Sequence, residues 1–399
     1  MVWKMDKKYK IALSHPIREQ LANVILNLNN FELDNKSKNK IKFNKKIWNI
    51  KGNIPNFNIL NKIRWFLQKI WVINLRFFKT NADISFANNG FLFTNKPYII
   101  YIEKATAIFW YSTKNYNNLL SKFLLKNRLK DKKLKKIFFR TKTAMIWFKN
   151  TFKKDKIISE ILKEKSCFVY PPTTNPEKIN IERFKNINKI KVLFISSDFY
   201  LKWWKQILNS FKNIRSTNIE LTIISKKNKI EENDFKIIQD NLNINFIEAK
   251  LDRLSLYKDY INKSHIFLCP TFFDSFNMTI NEAISSYLPI ITSDFFSIPE
   301  RIIDWYNWYT FQSPIKNYNN NFVITYEPWR DWKDVNTEIE YMQKKWDLNY
   351  IEKFLEDKIQ YLLENPDKIY ELAKRQKDFY EKHLLINQKS IEKYFLNCI

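Results

Sequence analysis

Glycine is nearly absent from this chain: its 399 residues include only two, Gly52 and Gly90. Turns that elsewhere use glycine to reach positive φ, or to bring backbone close to a ligand, must be built here from Asn, Asp, Ser or something larger. The chain accordingly holds no Gly-rich P-loop and no dinucleotide fingerprint. Cysteine is scarce as well. Cys167, Cys269 and Cys398 lie far apart without CxxC spacing, and with three histidines there is neither a disulfide framework nor a zinc set. A reducing cytoplasm fits that usage. No apolar run approaches the ~18 residues of a membrane span. The opening MVWKMDKKYKIALSHP lacks the apolar core of a signal peptide. The reading is a cytoplasmic protein, soluble or held peripherally at the inner face of a membrane.

What is present is apolar and basic. Hydrophobic residues make up 45% and aromatic ones 17%, which is ample for cores and argues against bulk disorder. The length suits about two domains. The net charge of +27 is lopsided: residues 1–190 hold 40 Lys/Arg against 12 Asp/Glu (+28), residues 191–399 hold 28 against 29 (−1). The excess concentrates at 62–79 and 121–156, where lysines alternate with large apolar residues. Such segments lie well on an anionic lipid surface. Solvated helix faces and nucleic-acid binding are the alternatives.

Apolar runs alternate with amphipathic stretches throughout. Strands are expected at Tyr9–Leu13, Asp83–Ala87, Tyr98–Glu103, Ile137–Arg140 and Cys167–Tyr170, with helices at Ile17–Leu28 and Tyr116–Leu129. The proline-rich Pro171–Pro176 marks a boundary. Beyond it strands are expected at Ile190–Ser196, Ile219–Ser225, Ile244–Ile247, His265–Cys269 and Pro289–Ser293, with helices at Trp203–Ile214 and Leu254–Ile261 and a charged helical end from about Ile351. Alternation of this kind gives an α/β protein with parallel sheets covered on both faces. The expected domains are 1–175, 176–375 and a last helix, 376–399, with a crossing back to the first domain as one course open to it. Two such domains leave a cleft, and ligands bind at the carboxyl ends of the strands.

Residues 264–300, SHIFLCPTFFDSFNMTINEAISSYLPIITSDFFSIPE, carry most of the functional signal. A short strand leads into a loop holding Asp274, a helix opens near Asn277, Glu282 lies eight residues after Asp274, and Glu300 follows Pro299. A helix start attracts anions through unpaired N–H groups and its dipole. Ionised carboxylates beside it can only accept hydrogen bonds, which suits sugar hydroxyls. The combination points to a nucleotide-sugar site.

This segment resembles the signature of retaining GT-B fold glycosyltransferases, family 4. The frame appears as Pro270-Thr271, Asp274, Ser275-Phe276-Asn277 and Glu282-Ala283, then Tyr287-Leu288-Pro289-Ile290-Ile291 and Ile298-Pro299-Glu300. Asp274 is one methylene shorter than the family's glutamate, and Asn277 and Tyr287 stand where it has glycine. After the strand ending at Ile195, Ser196 and Ser197 occupy the family's glycine–arginine positions, and Lys202 and Trp203 its lysine–glycine pair. The resemblance implies two Rossmann-like domains facing each other across a cleft. It also implies transfer from a nucleotide-diphosphate sugar to a glycan or lipid-linked acceptor, with anomeric retention and no metal. Carried over position by position, Ser197 and Lys202 face the diphosphate, as do the amides of Asn277, Met278 and Thr279. Glu282 takes the ribose and Asp274 the donor sugar.

In the first half, His15 follows a strand and precedes Pro16, and Glu103 ends another strand. Both are candidates near the reacting sugar, Glu103 as a proton acceptor. Arg140 and Lys142 are candidates for an anionic acceptor, while His265 sits in a buried-strand pattern as a core histidine. Two rivals remain: a degenerate transferase fold that binds sugar or membrane without turnover, and a basic nucleic-acid binder. A hydrolase would need carboxylates on opposite walls, whereas Asp274 and Glu282 share one.

Overall fold

The computed structural model describes residues 8–15, 17–26, 28–42, 73–173, 175–196, 202–316 and 347–398, together with 318, 337, 341, 344 and 345. They form two compact units. One runs to Pro172 and takes up the chain again from Leu384; the other runs from Thr173 to Lys316 and resumes as far as His383.

The first unit is built on a six-stranded sheet. Its strands are β1 (Tyr9–Leu13), β2 (Phe31–Leu33), β3 (Ile84–Asn88), β4 (Tyr98–Ile102), β5 (Leu134–Phe139) and β6 (Ser166–Phe168). They lie in the order β6-β5-β4-β3-β1-β2, and every pairing is parallel. The run YIIYI of β4 is buried at all five positions, as a strand covered on both faces requires. The helix Leu385–Leu396 closes one face of this sheet, with the Phe395 ring 5.5 Å from Phe31, 5.6 Å from Phe138 and 6.2 Å from Phe86. Burying that one side chain contributes about 2–3 kcal/mol. Glu392 accepts from the Asn30 amide at 2.7 Å, and the Asn387 side chain accepts from Tyr170 N at 2.9 Å.

The second unit carries β7 (Ile190–Ser196), β8 (Ile219–Ser225), β9 (Ile244–Glu248), β10 (Ile266–Cys269), β11 (Ile290–Ser293) and β12 (Tyr309–Phe311). Their order is β9-β8-β7-β10-β11-β12, again all parallel. Counted within the unit this is 3-2-1-4-5-6, the doubly wound order of a Rossmann fold. The winding reverses between β7 and β10, the switch point beside which ligands bind.

The structure departs from the sequence reading in several places. The stretch read as one helix from Tyr116 is split: Thr113–Asn117 ends at Asn118, whose extended backbone and side chain cap a new helix, Leu119–Leu129, through Leu120 N at 2.8 Å. Ile17–Arg18 pairs with Ile41–Lys42, so the first helix is Glu19–Leu26. The helix expected over Leu254–Ile261 is one α turn at Arg253–Ser255, followed by a wide π turn over Leu256–Tyr260 that accommodates the fully buried Tyr257. β2 and β12, at three residues each, are too short to show a period and were not anticipated. Of the two basic stretches, residues 62–72 lie outside the described residues. No helix among the described residues is long and apolar enough to cross a membrane.

Candidate nucleotide-sugar site

The second unit's polar side chains converge where β7 and β10 end. β10 stops at Cys269, the chain turns through Pro270–Asn277, and the helix Met278–Ser285 begins. Beside it Lys202 forms an antiparallel bridge with Thr271. That bridge brings two segments sixty-nine residues apart into contact. The Lys202 ammonium then reaches Thr271 Oγ1 at 3.1 Å and Asp274 Oδ2 at 3.0 Å. Thr271 is itself fixed by reciprocal bonds with Ser293 Oγ on β11, at 3.2 and 3.0 Å. The Trp203 ring stacks on Phe272, centroids 3.6 Å apart, locking the lysine's backbone against the loop.

Asp274 shapes the turn as well as pairing with the cation. Its Oδ1 accepts from the amides of Phe276 at 3.0 Å and Asn277 at 2.7 Å. Burial works against its charged form, but the Lys202 ammonium and these amides outweigh it and hold the carboxyl below its ordinary range. Asn277 sits at φ 56°, ψ 85°, the left-handed conformation that glycine adopts without penalty. For a residue with a Cβ that costs on the order of 1–2 kcal/mol. Tyr287 also has positive φ, at 59°, so both glycine-like positions of the motif keep the backbone geometry without the glycine. The Asn277 side chain is tied down, donating to Cys269 Sγ at 2.8 Å and accepting from Thr279 Oγ1 at 2.6 Å.

Of the three amides expected to face phosphate, that of Asn277 is therefore taken by Asp274. Those of Met278 and Thr279 meet no acceptor among the described residues. Glu282, one turn further along, is 8% exposed. Burial pushes its carboxyl up to about 7, with Arg253 pulling partly the other way. No described residue donates a hydrogen bond to that carboxylate, so a buried acceptor stands ready for hydroxyl groups. Ser197 lies outside the described residues. Glu300 ends the short turn Ile298–Glu300 and is half-buried. His265 lies one residue before β10 and is half-buried rather than in the core, its Nδ1 accepting from Lys191 N at 3.0 Å and its pKa lowered to about 4, chiefly by desolvation. Sequence reasoning passed over Arg301. It is wholly buried and donates into the same loop.

The first unit has a polar cluster of its own at the carboxyl ends of β3, β4 and β5. Glu103 accepts from Arg140 Nη1 at 2.8 Å and from Tyr111 OH at 3.0 Å. Asn89 links Glu103 N at 2.8 Å to Tyr111 OH at 2.9 Å. Burial opposes the Arg140 charge, yet Glu103 and the tyrosines Tyr101 and Tyr111 hold its pKa above the ordinary value. Glu103 and Arg140, read separately from the sequence, thus form one ion pair. Lys142 opens the neighbouring helix Lys142–Phe152 at an exposed position. His15, at the end of β1, bonds Ser14 Oγ through Nδ1 at 2.8 Å.

Residues 189–317 match the family described as "Glycosyl transferases group 1". No curated protein matches the chain in sequence. Among solved structures, Anabaena Alr3699/HepE in complex with UDP-glucose aligns with a TM-score of 0.54 at 10% identity, covering 97% of this chain and 99% of that one. The lipopolysaccharide outer core galactosyltransferase WaaB, in its apo form, aligns at 0.51 and 13% identity over 98% and 100% of the two chains. A glycosyltransferase from Rickettsia africae ESF-5 gives 0.51 and 12% over 98% of each. The chain thus has the α/β fold of the GT-B glycosyltransferases, and its second unit carries the group 1 family match.

Proposed function

We propose that the protein is a glycosyltransferase, moving a sugar from a nucleotide-diphosphate donor onto a glycan or lipid-linked acceptor. The observation that carries this is the contact of Lys202 with Asp274 at the switch point, beside a helix whose Met278 and Thr279 amides meet no acceptor among the described residues. Those amides and the ammonium suit a diphosphate. When the bond from the anomeric carbon to the phosphate oxygen breaks, negative charge grows on the leaving diphosphate, and Lys202 is placed to neutralise it. Asp274 takes donor-sugar hydroxyls through its remaining acceptor capacity, and Glu282 takes the ribose. The new bond forms to the acceptor oxygen, whose proton must leave. The Glu103–Arg140–Tyr111 cluster and His15 are the first unit's candidates for that side of the reaction. The complex of UDP-glucose with the structural neighbour HepE makes UDP the donor nucleotide to try first. Retention of configuration, metal-independence and cytoplasmic location belong to the same reading.

The test is direct. UDP should raise the melting temperature of the wild-type protein, and Glu282→Ala should lower UDP affinity at least tenfold. An unchanged affinity in that variant would remove Glu282 from the site. If no nucleoside diphosphate shifts the wild-type melting curve, the donor assignment fails.

We further propose that the first unit docks on an anionic membrane. The helix Leu119–Leu129 exposes Leu119, Leu120 and Phe123 at 82%, 52% and 60%, with Lys122 and Lys126 on the same helix. Lys132 and Lys135 are exposed just beyond it, whereas Lys133 and Lys136 already donate to the carbonyls of Thr94 and Glu164. Each lysine at a lipid surface contributes about 1 kcal/mol. Neutralising Lys132, Lys133, Lys135 and Lys136 should weaken binding to phosphatidylglycerol vesicles by at least tenfold in a sedimentation assay, with Lys132 and Lys135 accounting for most of the loss. Full retention would discredit membrane docking.

A further inference from the structure

The motif's helix start is supported from beneath by a second buried cation, Arg301. Arg301 is 0% exposed. Its Nη2 donates to the carbonyl of Phe276, and its Nη1 donates to Asn281 Oδ1 at 2.7 Å and more weakly to the Asn277 carbonyl at 3.5 Å. The guanidinium also lies 4.2 Å from the centre of the Phe276 ring. One planar group thus gathers two loop carbonyls and a side chain from the helix's first turn. The same two residues send their amides the other way, to Asp274 Oδ1. The loop is clamped on both sides: Asp274 takes its N–H groups, Arg301 its C=O groups.

This clamp meets a specific need. Asn277 holds a left-handed conformation that a glycine would adopt unaided, and such strain persists only where surrounding contacts over-determine it. The Asn277 carbonyl also accepts from Ile280 N at 3.2 Å, so the acceptor that depends on Arg301 is the Phe276 carbonyl, and a buried acceptor left unsatisfied is costly. Lysine, a point charge without a planar fork, would not reach the three acceptors together.

We infer that Arg301 is a positioning residue for nucleotide-diphosphate binding: it holds the Asp274–Asn277 turn so that the Met278 and Thr279 amides are presented to the diphosphate, taking over the conformational role of the missing glycine. The inference rests on the donor-site reading above for its ligand, and on the clamp's geometry for its mechanism.

The test uses the full-length chain with Arg301→Met, Arg301→Lys and Arg301→Met combined with Asn277→Gly, read by hydrogen exchange without ligand and by UDP affinity. In Arg301→Met the Phe276 and Asn277 amides should exchange at least tenfold faster while amides of β7 and β8 stay protected, and UDP affinity should fall at least tenfold. Adding Asn277→Gly should recover a substantial part of that affinity, because the turn no longer needs to be forced. Should Arg301→Met not fold, Arg301→Lys is the readout: it keeps the charge, and the same two amides should lose protection. Wild-type protection at Phe276 and Asn277 in a folded variant would overturn the inference, and so would a loss of affinity that Asn277→Gly leaves untouched. If the wild-type protein binds no nucleoside diphosphate, the donor reading falls, while the exchange data still decide whether Arg301 holds the turn.

Discussion

Lys202→Ala is expected to lower turnover of a nucleotide-sugar donor by two to three orders of magnitude while leaving a folded protein. Removing a preorganised group that stabilises transition-state charge typically costs ~10²–10³ in rate, and the Lys202 ammonium bonds the Asp274 carboxylate directly at 3.0 Å. The substitution also has a structural cost. Asp274 would keep its two amide donors but lose its ammonium partner in a site where its side chain is 26% exposed. Breaking a fully buried pair costs ~3–5 kcal/mol, and partial exposure brings the expectation to about 2 kcal/mol. The sign with pH follows from the depressed Asp274 pKa. Its stabilisation is present above the unfolded carboxyl's pKa and is lost as pH falls through the lower folded value. The variant should therefore lose part of the wild type's stability advantage near neutrality and converge with it in acid. Lys202→Met combined with Asp274→Leu separates the two effects. It removes the stranded carboxylate and should recover stability without recovering turnover. A double variant that regained activity, or a Lys202→Ala enzyme with an unaltered rate, would take Lys202 out of the mechanism. A wild-type protein that binds UDP yet neither transfers nor hydrolyses the sugar would instead be the non-catalytic binder.

Much of this site could be read in the sequence because its determinants are local. Asp274, Asn277 and Glu282 lie within nine residues, and β10, the turn and the helix follow one another without a gap. A strand–turn–helix unit declares itself by a change of period from two to 3.6, and β7, β8 and β1 begin and end where their apolar runs do. Asparagine's tolerance of left-handed angles also predicted that the turn would survive without glycine, and φ 56° at Asn277 bears this out. What was not legible depends on folding. That Glu103 and Arg140 neutralise one another follows from the adjacency of β4 and β5, which no local pattern encodes. The Asn277 amide's commitment to Asp274 depends on the turn's closure. Arg301 follows Glu300 in an ordinary-looking helix start, and only the burial of the whole side chain shows that it is directed inward. Its single signal was compositional: an arginine among residues otherwise destined for the core, Ile298 and Ile302.

Glu282→Gln should reveal the ribose contact through pH. In the unliganded protein the Glu282 carboxyl titrates at about 7 because burial penalises its charge, with Arg253 offsetting part of that. The corresponding unfolded-state value is 4.5. A folded pKa above the unfolded one means the native state holds the proton more tightly, so the stabilisation is full in acid and is lost as pH rises through about 7. The gap amounts to about 3 kcal/mol. Glu282→Gln carries no such proton, and its stability should be flat across that window and exceed the wild type's at pH ~8 by up to that amount. Binding runs the other way. Ribose hydroxyls donate best to the ionised carboxylate, so wild-type UDP affinity should fall by up to tenfold per pH unit below neutrality, as each binding event must release a proton. Glu282→Gln should bind weakly and without that slope. Comparing UDP with its 2′-deoxy analogue isolates the hydroxyl: the wild type should discriminate between them strongly above neutrality and weakly in acid, and the glutamine variant weakly at every pH. Parallel pH profiles for wild type and variant, with equal preference for the two nucleotides, would mean that Glu282 is buried for packing alone, and the donor would have to be oriented by other groups.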